Sequence, residues 1–304
     1  MTTRPSILDP NLMALWPHPG KVDLRFLYQW LQRFDLASLT TGSSVPQLNK
    51  KDLDPLPFPL PPLEDQQRIA RVLDRADELR VKRRSALAHL GELTKSIFLD
   101  MFGNPMDNPR GDEVRPLVEW VDVNRPITYG ILKPGENRAD GVKYIRVVDI
   151  KDGAIDLTDI RSTTSEISHQ YRRSTLRRND LLMSIRGHVG RLAQVPAALE
   201  GANITQDSAR LAVNEDSARY VMECLRSSGL QRWMKQRVKG AAVQGINLAD
   251  VKMIPLPTPP LALQQEFAHK AITIDHLKSK HSASLSQLDE LFASLQDRAF
   301  RGEL

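Results

Sequence analysis

The chain has 304 residues, 41% of them hydrophobic, enough for roughly two domains with buried cores. Its longest apolar runs fall far short of the ~18 residues a membrane span needs, and the N-terminal M-T-T-R-P-S-I-L-D-P has no signal-peptide core. The single cysteine, Cys224, excludes an intramolecular disulfide and a zinc cluster, fits a reducing cytoplasm, and reads as a small buried apolar residue on a helix. A net charge of +5 and a pI near 9.3 are only mildly basic, so the distribution of charge matters more than its sum.

In chain order, Asp23 to Leu39 has an amphipathic helix pattern, with Leu24, Leu27, Trp30, Leu31 and Phe34 on one face. The loop T-T-G-S-S-V-P-Q-L-N-K-K-D-L follows. A proline-rich strap then runs P-F-P-L-P-P-L-E-D-Q-Q-R-I-A from Pro57 to Ala70, and it is written again as P-L-P-T-P-P-L-A-L-Q-Q-E-F-A from Pro255 to Ala268. The offset of 198 residues holds without a gap from Gly42/Gly240 and Val45/Val243, through Asn49/Asn247 and the Gln66-Gln67/Gln264-Gln265 pair, to Ser96/Ser294. Two copies of that length are a duplication.

Each strap is followed by a long stretch free of proline, so a helix is expected to start near Glu64 and again near Ala262. Ile69, Val72, Ala76, Leu79, Arg83, Ala86, Leu90, Leu93 and Ile97 step by threes and fours, the signature of a coiled-coil seam. Phe267, Lys270, Ile274, Leu277, His281, Ser284, Leu288, Leu291 and Leu295 match them. Helices are expected over residues 64 to 101 and 262 to 300, and roughly 35 residues of helix would be about 50 Å long. A pseudo-twofold relating the copies makes them antiparallel, with a rod between two heads.

After the first long helix, F-G-N-P-M-D-N-P-R-G-D (Phe102 to Asp112) is a turn-rich linker. From 113 to 254 the pattern is mixed: an amphipathic start at Leu117 to Val123, strand-like runs at Val142 to Ile150, Leu181 to Ile185 and Arg191 to Val195, and a helix from about Ala218 to Trp233. This predicts an α+β architecture: one complete mixed α/β domain plus an N-terminal remnant, joined by two long antiparallel coiled-coil helices.

Arginines concentrate at Arg161, Arg172, Arg173, Arg177, Arg178, Arg186 and Arg191, with few acidic neighbours and no lysine between them. Their planar forks suit phosphate oxygens and guanine edges, which points to a polyanionic partner; the alternative is a solvated basic face. Three loops are candidates for chemistry: Pro126 to Ile131, with Tyr129 and Gly130; Arg178 to Arg191, with Arg186, Gly187, Gly190 and Arg191 around a G-H-V-G turn; and Lys239 to Asn247, with Lys239, Gly240, Gln244 and Asn247. Glycine permits close approach of backbone to a phosphate or groove, and Gln or Asn can pair bidentately with adenine. A plain hairpin connection is the simpler account of the G-H-V-G turn. Arg146, on the run from Val142, completes the DNA-binding set.

The repeated P-L-P-x-P-P-L-x-x-Q-Q strap with its long helix, F-G-N-P after the first helix, N-D-L-L-x-S-x-R-G-x-V-G-R and G-x-x-V-x-x-I-N resemble the specificity subunit of type I restriction-modification systems from about residue 23 onward. The resemblance implies a non-enzymatic subunit whose recognition domains each read half of a bipartite site on double-stranded DNA and whose helices set the spacing. It implies modification (methyltransferase) subunits carrying S-adenosylmethionine and a restriction (translocase/nuclease) subunit using ATP and Mg as partners, with no cofactor on this chain. It divides the chain into a remnant of a first recognition domain (1–56), strap and spacer helix (57–104), a complete recognition domain (105–254) and a second strap and helix (255–304). The departure is the short N-terminal segment, whose apolar stripe is expected to fold back on the first helix or to be covered by a second copy or a complementing fragment. A coiled-coil scaffold or split subunit without independent DNA reading is the alternative. An enzyme finds little support: Gly103-Asn104-Pro105-Met106 lacks the second proline and the aromatic of an N-P-P-F/Y motif, and no Walker loop or HExxH is present, which leaves a nuclease carboxylate cluster as the enzymatic alternative.

Overall fold

The computed structural model describes residues 12–40, 47–151, 153–240 and 244–304. The start of the repeat at Gly42, Val45 and Val243 lies outside them, as do Ala241 and Ala242 of the third loop. In chain order come α1 (Leu24–Leu31), α2 (Lys50–Leu53), α3 (Leu63–Phe102), β1 (Val114–Pro116), β2 (Thr128–Tyr129), β3 (Val142–Ile145), β4 (Ile150–Lys151), β5 (Ala154–Ile155), β6 (Arg161–Thr163) and α4 (Ser165–Gln170). They are followed by β7 (Leu181–Ser184), β8 (Leu192–Gln194), β9 (Asn203–Ile204), β10 (Ser208–Leu211), α5 (Glu215–Arg226), α6 (Ser228–Lys235), α7 (Leu248–Lys252), β11 (Pro255–Pro257) and α8 (Leu261–Phe300). Two compact units emerge, Met1–Leu90 with Leu277–Leu304, and Gly91–His276.

The prolines of each strap set where the long helices begin. Pro61-Pro62 and Pro259-Pro260 cannot lie in a helix interior, so α3 and α8 open at the next residue, within one position of the sequence expectation. The buried Gln66 and Gln264 lock the two starts alike, each donating its Nε2 2.8 Å to the carbonyl of Pro61 or Pro259. Gly103, with φ +72, ends α3; a Cβ there would meet Pro109 Cγ at 2.3 Å, so only glycine fits this left-handed cap.

In the first unit the helices run antiparallel: Arg80 binds Asp289, and its guanidinium lies 4.2 Å over the Phe292 ring. Arg83 and His281 occupy the same position in the two copies and meet at 2.8 Å, so a local twofold passes between them. In the second unit the same opposition brings Phe98 and Phe102 against Phe267. The seam, however, is shifted from the expected one. Val72, Leu79, Leu93, Leu277 and Leu291 are exposed, and the buried partners of Ile69 and Phe267 are Leu73, Ala76 and Thr94 on α3 and Ala271, Ile274 and Phe292 on α8. The spacing still alternates between fours and threes but in the other phase, one residue along at every second position. Its polar middle is filled by Arg80, Arg83 and His281 contacts rather than by leucines.

The N-terminal stripe folds back within the first unit. Phe26 and Trp30 are buried with Ile69, Leu73 and Phe300, and Leu27, Leu31 and Phe34 pack against them. Asp23 caps α1 by accepting from the Arg25 and Phe26 amides, and its own N–H donates to Gln66 Oε1 at 2.8 Å. The helix is shorter than expected: after Leu31 the chain turns, with Asp35 Oδ1 taking the Ala37 amide, a local bond that competes with helix continuation.

In the second unit a four-stranded antiparallel sheet has the order β2-β10-β7-β8, and a smaller sheet has β3 between antiparallel β6 and parallel β9. β7 is buried on both faces, Leu181 and Met183 joining a core with α5, α6, Phe98 and Phe267, and Leu182 joining a second core with Ile145, Ile150 and Ile204. Such a strand reads as a continuous apolar run. The helix expected from Ala218 to Trp233 is two helices, because Ser227 breaks it and accepts the Leu230 amide as the cap of α6. Cys224 lies wholly inside the first core, and burial pushes its thiol pKa well up, so it is a packing residue.

Candidate nucleic-acid interface

Ser184 ends β7 and closes the G-H-V-G turn: its Oγ donates to the His188 carbonyl and accepts the Arg191 amide at 2.8 Å. Gly187 and Gly190, with φ +67 and +89, let the chain double back. The second loop then pairs with the third. The Gly187 amide donates to the Gln244 carbonyl and the Ile246 amide to the Ile185 carbonyl, both at 2.9 Å, while Lys239 and Gly245 exchange bonds of 2.8 and 2.9 Å.

The first loop reaches this pair through a turn that sequence reasoning missed. Ile131 donates to the Ile204 carbonyl at 2.7 Å and accepts from the Gln206 amide at 2.9 Å, and Arg186 donates to Gln206 Oε1 at 3.0 Å. The first two loops are thus tied to residues 204–207, and the third joins them through the second. They present Tyr129, Arg186, Gly187, Lys239, Gly240 and Gln244 as exposed residues, with Arg191 exposed at the base of the turn. Arg172, Arg173, Arg177 and Arg178 are exposed on the segment before β7, and none makes a side-chain ion pair among the described residues.

A buried arginine holds that segment to the first loop. Arg210 on β10 is 2% exposed and donates at 3.0 Å to the carbonyls of both Pro126 and Arg173. Burial, reinforced by nearby Arg125, draws its pKa down to about 10. Arg125 in turn grips Asp180 with two bonds of 2.8 and 2.6 Å, and Asp180 accepts the Arg177 amide at 2.8 Å. Replacing Arg210 by alanine leaves two carbonyls without their donor, each costing about 1 to 3 kcal/mol. The expected result is a lower urea midpoint with circular dichroism retained in water; an unchanged midpoint counts against the brace.

Several expected contact residues make contacts within the fold. Arg146 bonds both carboxylate oxygens of Asp149 and also reaches Asp159, which raises its pKa and holds the segment after β3. Asn247 caps α7, accepting the Asp250 amide at 2.7 Å, just as the equivalent Asn49 and Asp52 form a capping box at α2. Gly130 and Gly190 are buried, their missing Cβ leaving room for the Ile204 carbonyl and for Gln231. Residues that the sequence did not single out, Gln231, Arg232 and Lys235 of α6, line a cavity of about 670 Å³ beside Gly187 and Gln244. The basic run Arg232 to Lys239 is the signal that could have found them.

In chain order, a mixed α/β unit with a rim of exposed arginines and amides lies between two straps that each open a long helix of the duplicated repeat. Residues 3–87 match the type I restriction modification DNA specificity domain. The specificity subunit of the type I restriction enzyme EcoBI from Escherichia coli is 28% identical, covering 99% of this chain and 70% of that protein. Among solved structures, a type I restriction-modification S subunit from M. genitalium is similar in fold, with a TM-score of 0.54, 19% identity, and coverage of 93% of this chain and 74% of that one. A chain solved for the complex assembly and conformational transition of a type I R-M system gives 0.54, 21% identity, and coverage of 93% and 72%. Over residues 3–87 by the domain match and over most of its length by the relatives, the chain is similar to type I restriction-modification specificity subunits.

Proposed function

We propose that the chain is the non-catalytic subunit that reads double-stranded DNA in a type I restriction-modification assembly in the cytoplasm. The observation that carries the reading is the convergence of Arg186, Lys239 and Gln244 on one exposed rim, with the Arg172–Arg178 cluster held to the adjoining loop by Arg210. Arg186 and Gln244 are side chains that pair bidentately with base edges, and the cluster supplies phosphate contacts. Residues 105–254 act as one recognition domain, 57–104 and 255–304 as strap and spacer, and 1–56 as the counterpart of a domain's end.

Modification subunits dock on the paired helices. The repeat leaves the same leucines exposed in both copies, Leu79 with Leu277 and Leu93 with Leu291, between 40% and 51% accessible. Equivalent apolar positions suit two copies of one partner. S-adenosylmethionine belongs to those modification subunits, and ATP and Mg to a restriction subunit. The test is co-purification with the modification subunit followed by methylome sequencing. Methylation confined to one sequence that changes when Arg186 and Gln244 are replaced supports the reading; methylation without sequence preference replaces it with the scaffold alternative.

A further inference from the structure

Resting on that reading, we infer that α6 forms a second phosphate-binding edge, which tracks the sugar-phosphate backbone of DNA beside the reading loops. Ser228, Gln231, Arg232 and Lys235 all line the 670 Å³ groove, and their spacing of three, four and seven residues makes them a single helical stripe. The opposite wall is the reading rim itself, Gly187, Val189 and Gln244. No lining side chain is acidic, and Arg232 and Lys235 are exposed with no carboxylate partner among the described residues. Two unpaired cations on one wall of a groove, with no carboxylate to balance them, are the arrangement a phosphodiester satisfies.

The stripe is held at a fixed distance from the reading turn. Gln231 Nε2 donates to the Gly190 carbonyl at 3.0 Å and to the Leu225 carbonyl at 2.8 Å, bridging turn and helix. A Cβ on Gly190 would stand 2.6 Å from Gln231 Oε1, so glycine at this position is what allows the bridge. Beyond Gln231 a second groove of about 490 Å³ continues past Gly190 to Arg191. There Lys151 is paired with Asp156 and Arg226 with Glu223, which leaves Arg191 as the cation without an ion-pair partner among the described residues. Lys235, Arg232 and Arg191 therefore form a run of free cations along two grooves that share Gln231 and flank the turn carrying Arg186. A strand whose bases meet Arg186 and Gln244 would lay its backbone along that run. The rigid Gln231 bridge then fixes the register between backbone and bases.

The test measures duplex binding by the complex of the full chain with its modification subunits, at several salt concentrations, on specific and random DNA. The double variant Arg232→Ala/Lys235→Ala is expected to lose affinity equally on both duplexes and to flatten the log affinity against log salt slope by about one unit per cation removed. The charge-conserving Arg232→Lys/Lys235→Arg keeps the wild-type slope. Ser228→Glu, which places a carboxylate in the groove, weakens binding most at low salt. An unchanged slope in the alanine variant, while Arg177→Ala/Arg178→Ala flattens it, overturns the α6 edge and leaves the DNA-reading proposal standing. A flat response in both, with no preference for the specific duplex, sinks that reading itself.

Discussion

Leu73→Ala is expected to destabilise the first unit by about 2 to 5 kcal/mol, whereas its neighbour Val72→Ala changes stability by no more than about 0.5 kcal/mol. Leu73 is fully buried among Ile69, Ala76, Phe26 and Phe300, while Val72 is 40% exposed. Truncating Leu73 removes apolar neighbours on several sides and leaves a cavity between helices that cannot both close on it. The second copy offers the same pairing, since Phe292 is buried under the Arg80 guanidinium and Leu291 is 51% exposed. Urea denaturation of the four single variants decides between the two seam phases. Equal losses for Leu73 and Val72, or for Phe292 and Leu291, would reinstate the seam that the hydrophobic pattern favours.

Helix positions and ends are legible in the sequence, because proline before Leu63 and Leu261 and glycine at Gly103 act through the backbone alone. Direction is legible from the duplication, and the Arg83–His281 contact between equivalent positions realises it. The seam phase is not. Counting apolar residues favours Val72, Leu79 and Leu93, yet the buried side takes Leu73 and Thr94 with Arg80 between them, because aromatic and ionic contacts of Arg80 make a guanidinium acceptable at a helix contact.

In the second unit β7 is visible as the run Leu-Leu-Met-Ser, but its neighbour β10, Ser-Ala-Arg-Leu, is hidden by a buried arginine that no periodicity rule admits. The same arginine joins two of the candidate segments, so their association is equally illegible. Glycines mark the three loops individually. The meeting of the first two depends on the 204–207 turn, whose Gln206 and Asp207 follow no pattern. The contacts of Arg146 and Asn247 within the fold are illegible for a common reason: a polar side chain near a loop looks the same in sequence whether it faces solvent or caps a turn.

Replacing arginines of the rim is expected to separate two kinds of DNA contact. Arg177 and Arg178 are exposed, carry no ion pair among the described residues, and lie on a segment anchored through the Arg177 amide to Asp180. Their substitution by alanine should weaken specific and random duplexes alike and flatten the salt dependence by about one unit for each phosphate no longer neutralised. Arg186 is differently placed: Gln206 holds its guanidinium, its amide donates to the Asp207 carbonyl at 3.2 Å, and it lies beside Gly245 of the loop bearing Gln244. A side chain so fixed can present a planar fork to one base. Arg186→Ala should cost about 1 to 3 kcal/mol on the specific duplex, with a much smaller effect on random DNA, and should relax the preference at one base pair of the methylated sequence. Gln244→Ala should do the same at a different base pair, since the two side chains leave opposite strands of the Gly187–Gln244 pairing. Anisotropy titrations on single-substitution duplexes read both effects. Equal weakening on specific and random DNA for Arg186→Ala would move that residue from base reading to phosphate binding.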